Sequence, residues 1–187
     1  MNSEEIFSQI INHLLEGMMM HEQLANYFNF LALEGYKYCH DYHYIEETLT
    51  YREVQKYYIE HYNKLLPEPQ PSIIQVIPTS WYEHFRQDID NTIKQDGIQK
   101  GMLAWTNWER ETKRLYEKSY SELVSIGEIA SAEKVRELIV DVDEELVEAD
   151  KMHLEVLTIN FDLSVIVPDQ KEKYKKYSKK LQEINYK

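Results

Sequence analysis

The feature that most constrains this chain is how seldom its apolar rhythm is interrupted. Glycine and proline number only five each in 187 residues, and apolar residues return every three or four positions over most of the length. Glycine and proline are the residues that most disfavour a helix interior. Their scarcity leaves room for long helices and little for the many turns of a β-fold. Pro67, Pro69 and Pro71 fall together in "PEPQP", so a single breaker divides the chain into two long helical halves.

The first segment runs from Ser3 to Tyr38, with Ile6, Ile10, Leu14, Gly17, His21, Leu24, Phe28, Leu31 and Gly35 on one stripe. Ser3 is its expected N-cap, with Glu4 and Glu5 in the first turn. "CHDYHY" (39–44) breaks the rhythm and reads as a turn. A second helix follows over Ile45–Leu66, carried by Tyr51, Val54, Tyr58, His61 and Leu65. Residues 67–96 form a long crossover: an extended stretch or short strand, then a short amphipathic helix over Trp81–Lys94. The third helix is expected over Ile98–Val124 and the fourth over Ala130–Phe161, with Gly127 ending the turn between them. Pro168 closes the irregular "DLSVIVP". The basic tail, 165–187, either docks as a fifth helix or stays mobile. Short loops make antiparallel neighbours, so residues 1–164 read as one all-α domain. It is an up-down four-helix bundle with a long crossover between helices 2 and 3.

Net charge is −12, from 33 acidic and 21 basic residues. Such a surface repels phosphate backbones, which argues against nucleic-acid binding. No run of 18 apolar residues exists, so no membrane span is expected. The N-terminus lacks a signal-peptide pattern. A lone Cys39 excludes an intramolecular disulfide and fits a reducing, cytoplasmic setting. The fifteen tyrosines suit half-buried positions with the ring inside and the hydroxyl at the rim.

Against this background, an ionisable pair beside a buried stripe stands out. His21 and Glu22 sit so on the first helix. With the first turn centred near residue 41, Glu22 is level with His61. With the second centred on Gly127, Glu109 is level with Glu145. The expected cluster is therefore Glu22 (or His21), His61, Glu109 and Glu145. Asp150 and His153, three residues apart, share a face further along the fourth helix. Carboxylates mixed with imidazoles suit iron, manganese or zinc. Taken singly, each of these residues is better read as a solvated helix edge or a satisfied core histidine; it is their coincidence at matched height that points to a metal.

Four stretches carry a resemblance. "HEQLANYFNFLALEGYKY" (21–38), "YYIEHYNKLLP" (57–67), "AWTNWERETKRLYEKSYSEL" (104–123) and "IVDVDEELVEAD" (139–150) are similar to the four core helices of the ferritin-like superfamily, the non-haem ferritins and rubrerythrins. The resemblance covers roughly residues 8–160 and implies a ferritin-like bundle. It also implies metal ligands at Glu22, His61 and Glu109, and oxidation of ferrous iron by dioxygen or peroxide. Tyr27 or Tyr58 would then donate hydrogen bonds to the ligands. The family's second helix carries Glu-x-x-His, whereas Tyr58 stands three residues before His61. Leu146 occupies the fourth-helix position where a Gln or His is expected, and rubredoxin-like CxxC pairs are absent. The expectation is a metal-binding bundle taking iron or manganese, with ferroxidase, oxidoreductase or storage chemistry, working as a homo-oligomer, a dimer by preference. The alternative is a metal-free bundle of the same fold acting as a scaffold or protein-interaction module.

Overall fold

The structure, a computed structural model, describes residues 1–78, 80 and 83–185. It consists of helices α1 (Ser3–Phe30), α2 (Glu34–Tyr62), α3 (Asn91–Ser125), α4 (Ile129–Thr158) and α5 (Leu163–Asn185). Helix α1 begins with a reciprocal cap. The Glu5 amide donates to Asn2 Oδ1 and the Asn2 amide to Glu5 Oε2, both at 2.9 Å. Asn2, not Ser3, is thus the cap, because only from that position does Glu5 reach back. Asp90 caps α3 by accepting from the Ile93 amide at 2.8 Å, which starts that helix two turns before Ile98.

Helices α1 and α2 pack as one antiparallel hairpin and α3 and α4 as the other. The crossover, 63–90, runs up the flank of α1. The Gln70 amide donates to Asn12 at 2.7 Å and the Ser72 amide to Glu16 at 2.6 Å. Gln23 then bridges the Ile74 carbonyl, at 2.6 Å, and the Val76 amide, at 3.0 Å. With its backbone bonded to side chains, this stretch stays extended, and no strand occurs among the described residues. Of the amphipathic helix expected over Trp81–Lys94, positions 81 and 82 lie outside the described residues; Arg86–Asp88 form a 3-10 turn, and 91–94 are instead the first turn of α3.

The largest departure from the sequence reading is the first turn. Helix α1 stops at Phe30 and α2 starts at Glu34, about nine residues earlier than "CHDYHY". The turn contains no glycine or proline. Ala32 takes φ +58°, and Leu31 and Leu33 on either side are fully buried. An apolar turn of this kind keeps the helical rhythm and leaves no mark in the sequence. "CHDYHY" lies inside α2, with Cys39, His40 and His43 all facing inward. The second turn is where Gly127 places it, at φ +83°.

Helix α5 lies along α2 in the same direction, and it begins before Pro168, which sits in its second turn. Asp162 starts it by accepting from the Ser164 amide at 2.9 Å. Tyr38 meets Tyr174 edge-on at 4.6 Å, and Tyr42 meets Tyr177 at 6.0 Å. Gly35 permits the approach: a Cβ there would come within 2.6 Å of the Gln170 carbonyl oxygen. No helix among the described residues is long and apolar enough to cross a membrane.

The core is in two parts. One apolar cluster, including Ile6, Phe7, Ile10, Leu14, Val54, Leu123 and Val135, fills the end near the Gly127 turn. The other, including Leu24, Phe28, Leu31, Tyr36, Met102, Trp105 and Val156, fills the opposite end. Each fully buried large apolar side chain contributes about 1.5–3 kcal/mol, so both ends are well secured. Between them the inward positions change character on every helix.

Candidate metal centre

The change in character is a polar layer at mid-height. Helix α1 supplies His21, α2 supplies His40, His43, Glu46 and Glu47, α3 supplies Glu109, and α4 supplies Glu145 and Glu148. On α2 the spacing His40-x-x-His43-x-x-Glu46 keeps two imidazoles and a carboxylate on one side of the helix. His21 and Glu109 are fully buried, and His40 and His43 nearly so. Burying this many polar groups is costly unless they are paired with one another or with a ligand.

The pairing inside the layer is incomplete. His21 Nδ1 and His40 Nδ1 lie 2.9 Å apart, one donating and the other accepting. Trp105 Nε1 donates to Glu109 Oε1 at 2.8 Å, and His21 Nε2 stands 3.7 Å from the same oxygen. His43 Nδ1 lies 3.3 Å from Glu46 Oε2 and its Nε2 lies 3.6 Å from Glu148 Oε2. Even so, His21 Nε2, both His43 nitrogens and Glu109 Oε2 are buried without a properly formed hydrogen bond. Native interiors leave few such atoms, and here four share one layer. His43, Glu46 and Glu145 each offer a donor atom within 4.8 Å of the others. This donor set, imidazole with carboxylates and with unpartnered atoms facing one another, fits a divalent first-row metal ion.

Surrounding residues set the orientation and the charge. Gly17 leaves room for Glu47: a Cβ at Gly17 would meet Glu47 Oε1 at 2.6 Å. Tyr42 donates to Glu46. Glu148 accepts from Tyr177 at 2.9 Å and pairs with Lys176, with Lys180 at 3.8 Å. Burial first, and the neighbouring Glu47 charge second, push the Glu109 carboxyl up to about 8. Burial and Glu109 push Glu145 up to about 8 as well, and burial and Glu145 raise Glu47. Burial also lowers His21 and His40, each helped by neighbouring imidazoles. Burial opposes a proton on His43, but the Cys39 thiol and the Glu148 and Glu46 carboxylates outweigh it and raise its basicity. Burial would raise Glu148, yet His43, Lys176 and Lys180 hold it well below the usual carboxylate range. The layer opens on one side into a cleft of about 1440 Å³ between α4 and α5, lined by His43, Glu46, Glu145 and Glu148 among others.

The structure brings together only some of the residues expected from the sequence. Glu109 and Glu145 meet in the layer, and His21, the alternative to Glu22, joins them. Glu22 itself points to solvent. His61 is near the far end of the bundle, stacked on Tyr57 with ring centroids 5.3 Å apart, and 4.0 Å from Glu128. The two corrections have separate causes: on α1 it is His21 and not Glu22 that falls on the buried stripe, and on α2 the turn is displaced. With the first turn at residues 31–33, the α2 residue level with His21 is His43. Asp150 is paired on the surface with Arg110 at 2.7 Å, and His153, next to that pair, lies outside the layer. Tyr58 packs on Phe7 in the apolar end, ring centroids 5.5 Å apart, and does not reach the carboxylates. Sequence reasoning missed His40, His43, Glu46, Glu47 and Glu148. The available signal was the run of ionisable residues in "CHDYHYIEE", which reads as a loop unless the helix is known to pass through it.

Two antiparallel hairpins, a long crossover and a carboxylate–imidazole layer at mid-height define an all-α bundle of the ferritin type. Among solved structures, the chain is similar to the open-pore ferritin of the hyperthermophilic archaeon Archaeoglobus fulgidus, with TM-score 0.72 and 13% identity over 92% of this chain and 94% of that one. It is equally similar to an engineered closed form of that ferritin, with TM-score 0.71, 13% identity and the same coverage. A humanized archaeal ferritin matches with TM-score 0.73 and 13% identity over 92% of this chain and 93% of that one. No family model matches the sequence, and no curated protein does. At this identity the likeness establishes the fold, and the site rests on its own geometry.

Proposed function

We propose that this protein binds a divalent first-row metal ion, iron or manganese, in the mid-bundle layer. The observation that carries the reading is the set of buried, unpartnered donor atoms on His21, His43 and Glu109, next to Glu46 and Glu145. His43, Glu46, Glu145 and Glu109 are the proposed ligands, with His21 and Glu47 completing the set. Bound iron would supply one-electron exchange with dioxygen or peroxide. The chain's own part is positioning and proton handling. Trp105 fixes the Glu109 carboxylate, Tyr42 fixes Glu46, and the cleft gives access from the α4–α5 side. Glu109 and Glu145, whose proton affinities are raised by burial, would give up their protons to a bound cation.

Titration with anaerobic ferrous iron, read by plasma mass spectrometry, tests this. One or two ions per chain are expected, lost in His43→Ala combined with Glu145→Gln, and retained in Glu22→Ala and His61→Ala. Metal that never exceeds background would replace this reading with a metal-free bundle acting as an interaction module.

A further inference from the structure

The outward ridge of α4 is apolar where a surface helix is normally polar. Ile129 is 56%, Val140 54%, Val147 68% and Leu154 64% exposed. Val140, Val147 and Leu154 recur every seven residues and therefore form one line along the helix. On one flank of the line the charges are used within the chain: Asp143 pairs with Lys113 at 2.6 Å and Asp150 with Arg110 at 2.7 Å. On the other flank stand Glu144 and Lys151, both exposed and neither in an ion pair among the described residues.

We propose that a second copy of this chain covers the ridge, α4 against α4, antiparallel across a two-fold axis beside Val147. In such a self-complementary contact, residue i faces j and residue j faces i. An axis between Val147 and Glu148 sets Glu144 opposite Lys151 of the second copy, and Lys151 opposite its Glu144. The same operation brings Val140 beside Leu154 of the second copy and the two Val147 side chains together at the axis. A parallel pairing would instead set this flank against Asp143 and Asp150 of the second copy, whose charges are already taken by Lys113 and Arg110, and would leave Glu144 and Lys151 without each other. An unrelated partner would need no self-complementary order at all. Glu144 and Lys151 also line the cleft above the polar layer, so the contact narrows the entrance to His43 and Glu46. The pairing holds whether or not the layer takes a metal.

Sedimentation equilibrium of the full chain tests the proposal, with circular dichroism confirming that each surface variant folds. The expected mass is twice the 22.5 kDa of the chain. Leu154→Asp should give a monomer. Lys151→Glu should weaken the dimer roughly tenfold by placing like charges at two symmetric positions, and adding Glu144→Lys should restore it. Val147→Cys should form a disulfide-linked dimer on mild oxidation, with Cys39 remaining buried. A wild-type monomer at all concentrations would overturn the proposal. So would an assembly that Leu154→Asp leaves intact, or a double charge swap no stronger than Lys151→Glu alone.

Discussion

Gly17 shows how much one missing side chain matters here. It faces the polar layer, and the carboxylate of Glu47 occupies the space its Cβ would fill. Gly17→Ala must displace Glu47 or move α1. The expected loss is about 1–3 kcal/mol, read as a lower thermal midpoint, with weaker metal binding in the same variant. The titrating groups give a second prediction for the metal-free protein. Glu109 and Glu145, pushed up to about 8, keep protons in the fold that the unfolded chain releases near 4.5. Their contribution therefore declines as pH rises from about 4.5 through about 8. His13, lowered by burial to about 4, and His21 and His40, also lowered, stay neutral in the fold while the unfolded chain takes up protons near 6.5. Their contribution is lost as pH falls below about 6.5. The two trends oppose each other between about 4.5 and 6.5; above that range the first acts alone in sign, joined by Glu47 and by His43, whose raised proton affinity is likewise lost as pH climbs. The thermal midpoint should fall between pH 6.5 and 8, and Glu109→Gln should flatten that limb. A midpoint that climbs across this window would contradict the assignment.

Two elements carry features that can be tested directly. The α1–α2 turn places Ala32 in the left-handed region, φ +58°, where a Cβ is disfavoured. Ala32→Gly should stabilise the protein by about 0.5 kcal/mol in urea unfolding, the relief of strain being partly offset by a freer unfolded chain. Helix α5 is held to the bundle by Tyr177, which is fully buried and donates to Glu148. Its neighbours Lys176 and Lys180 pair with the same carboxylate. Cys39 is buried on the α2 face that α5 covers and influences the Tyr177 hydroxyl. Tyr177→Ala leaves a large cavity, costing about 3–5 kcal/mol, and should loosen α5. Cys39 should then react with a thiol reagent that leaves it untouched in the parent protein, an outcome that separates undocking from global unfolding when circular dichroism is unchanged.

At the scale of the whole molecule, two apolar clusters enclose a layer whose ionisable groups are only partly satisfied. The ends hold the bundle together and the middle is the part a ligand can improve. A metal bound a hundredfold above its dissociation constant adds about 2.7 kcal/mol. For a domain of this size that is roughly 5–10 °C in thermal midpoint. Iron or manganese should produce such a rise, a chelator should reverse it, and His43→Ala should abolish it. A midpoint indifferent to both metals would favour the metal-free reading.

The sequence by itself determined the class of fold. Long apolar stripes, few breakers and one proline cluster demand helices, and their loop lengths demand two hairpins joined by a crossover. It also brought two residues of the layer to one height. Gly127 marks its turn, since a left-handed backbone suits glycine best, so Glu109 and Glu145 could be levelled by counting. The α2 side of the layer depended on tertiary structure. The first turn is built from leucines and an alanine held in place by burial rather than by local preference, so nothing in the sequence announces it. A displacement of about nine residues in that turn moved the expected partner from His61 to His43 and turned a presumed loop into the part of α2 that supplies the polar layer. The docking of α5 was likewise decided by packing, since Gly35 and Tyr177 acquire their roles only when the helices meet.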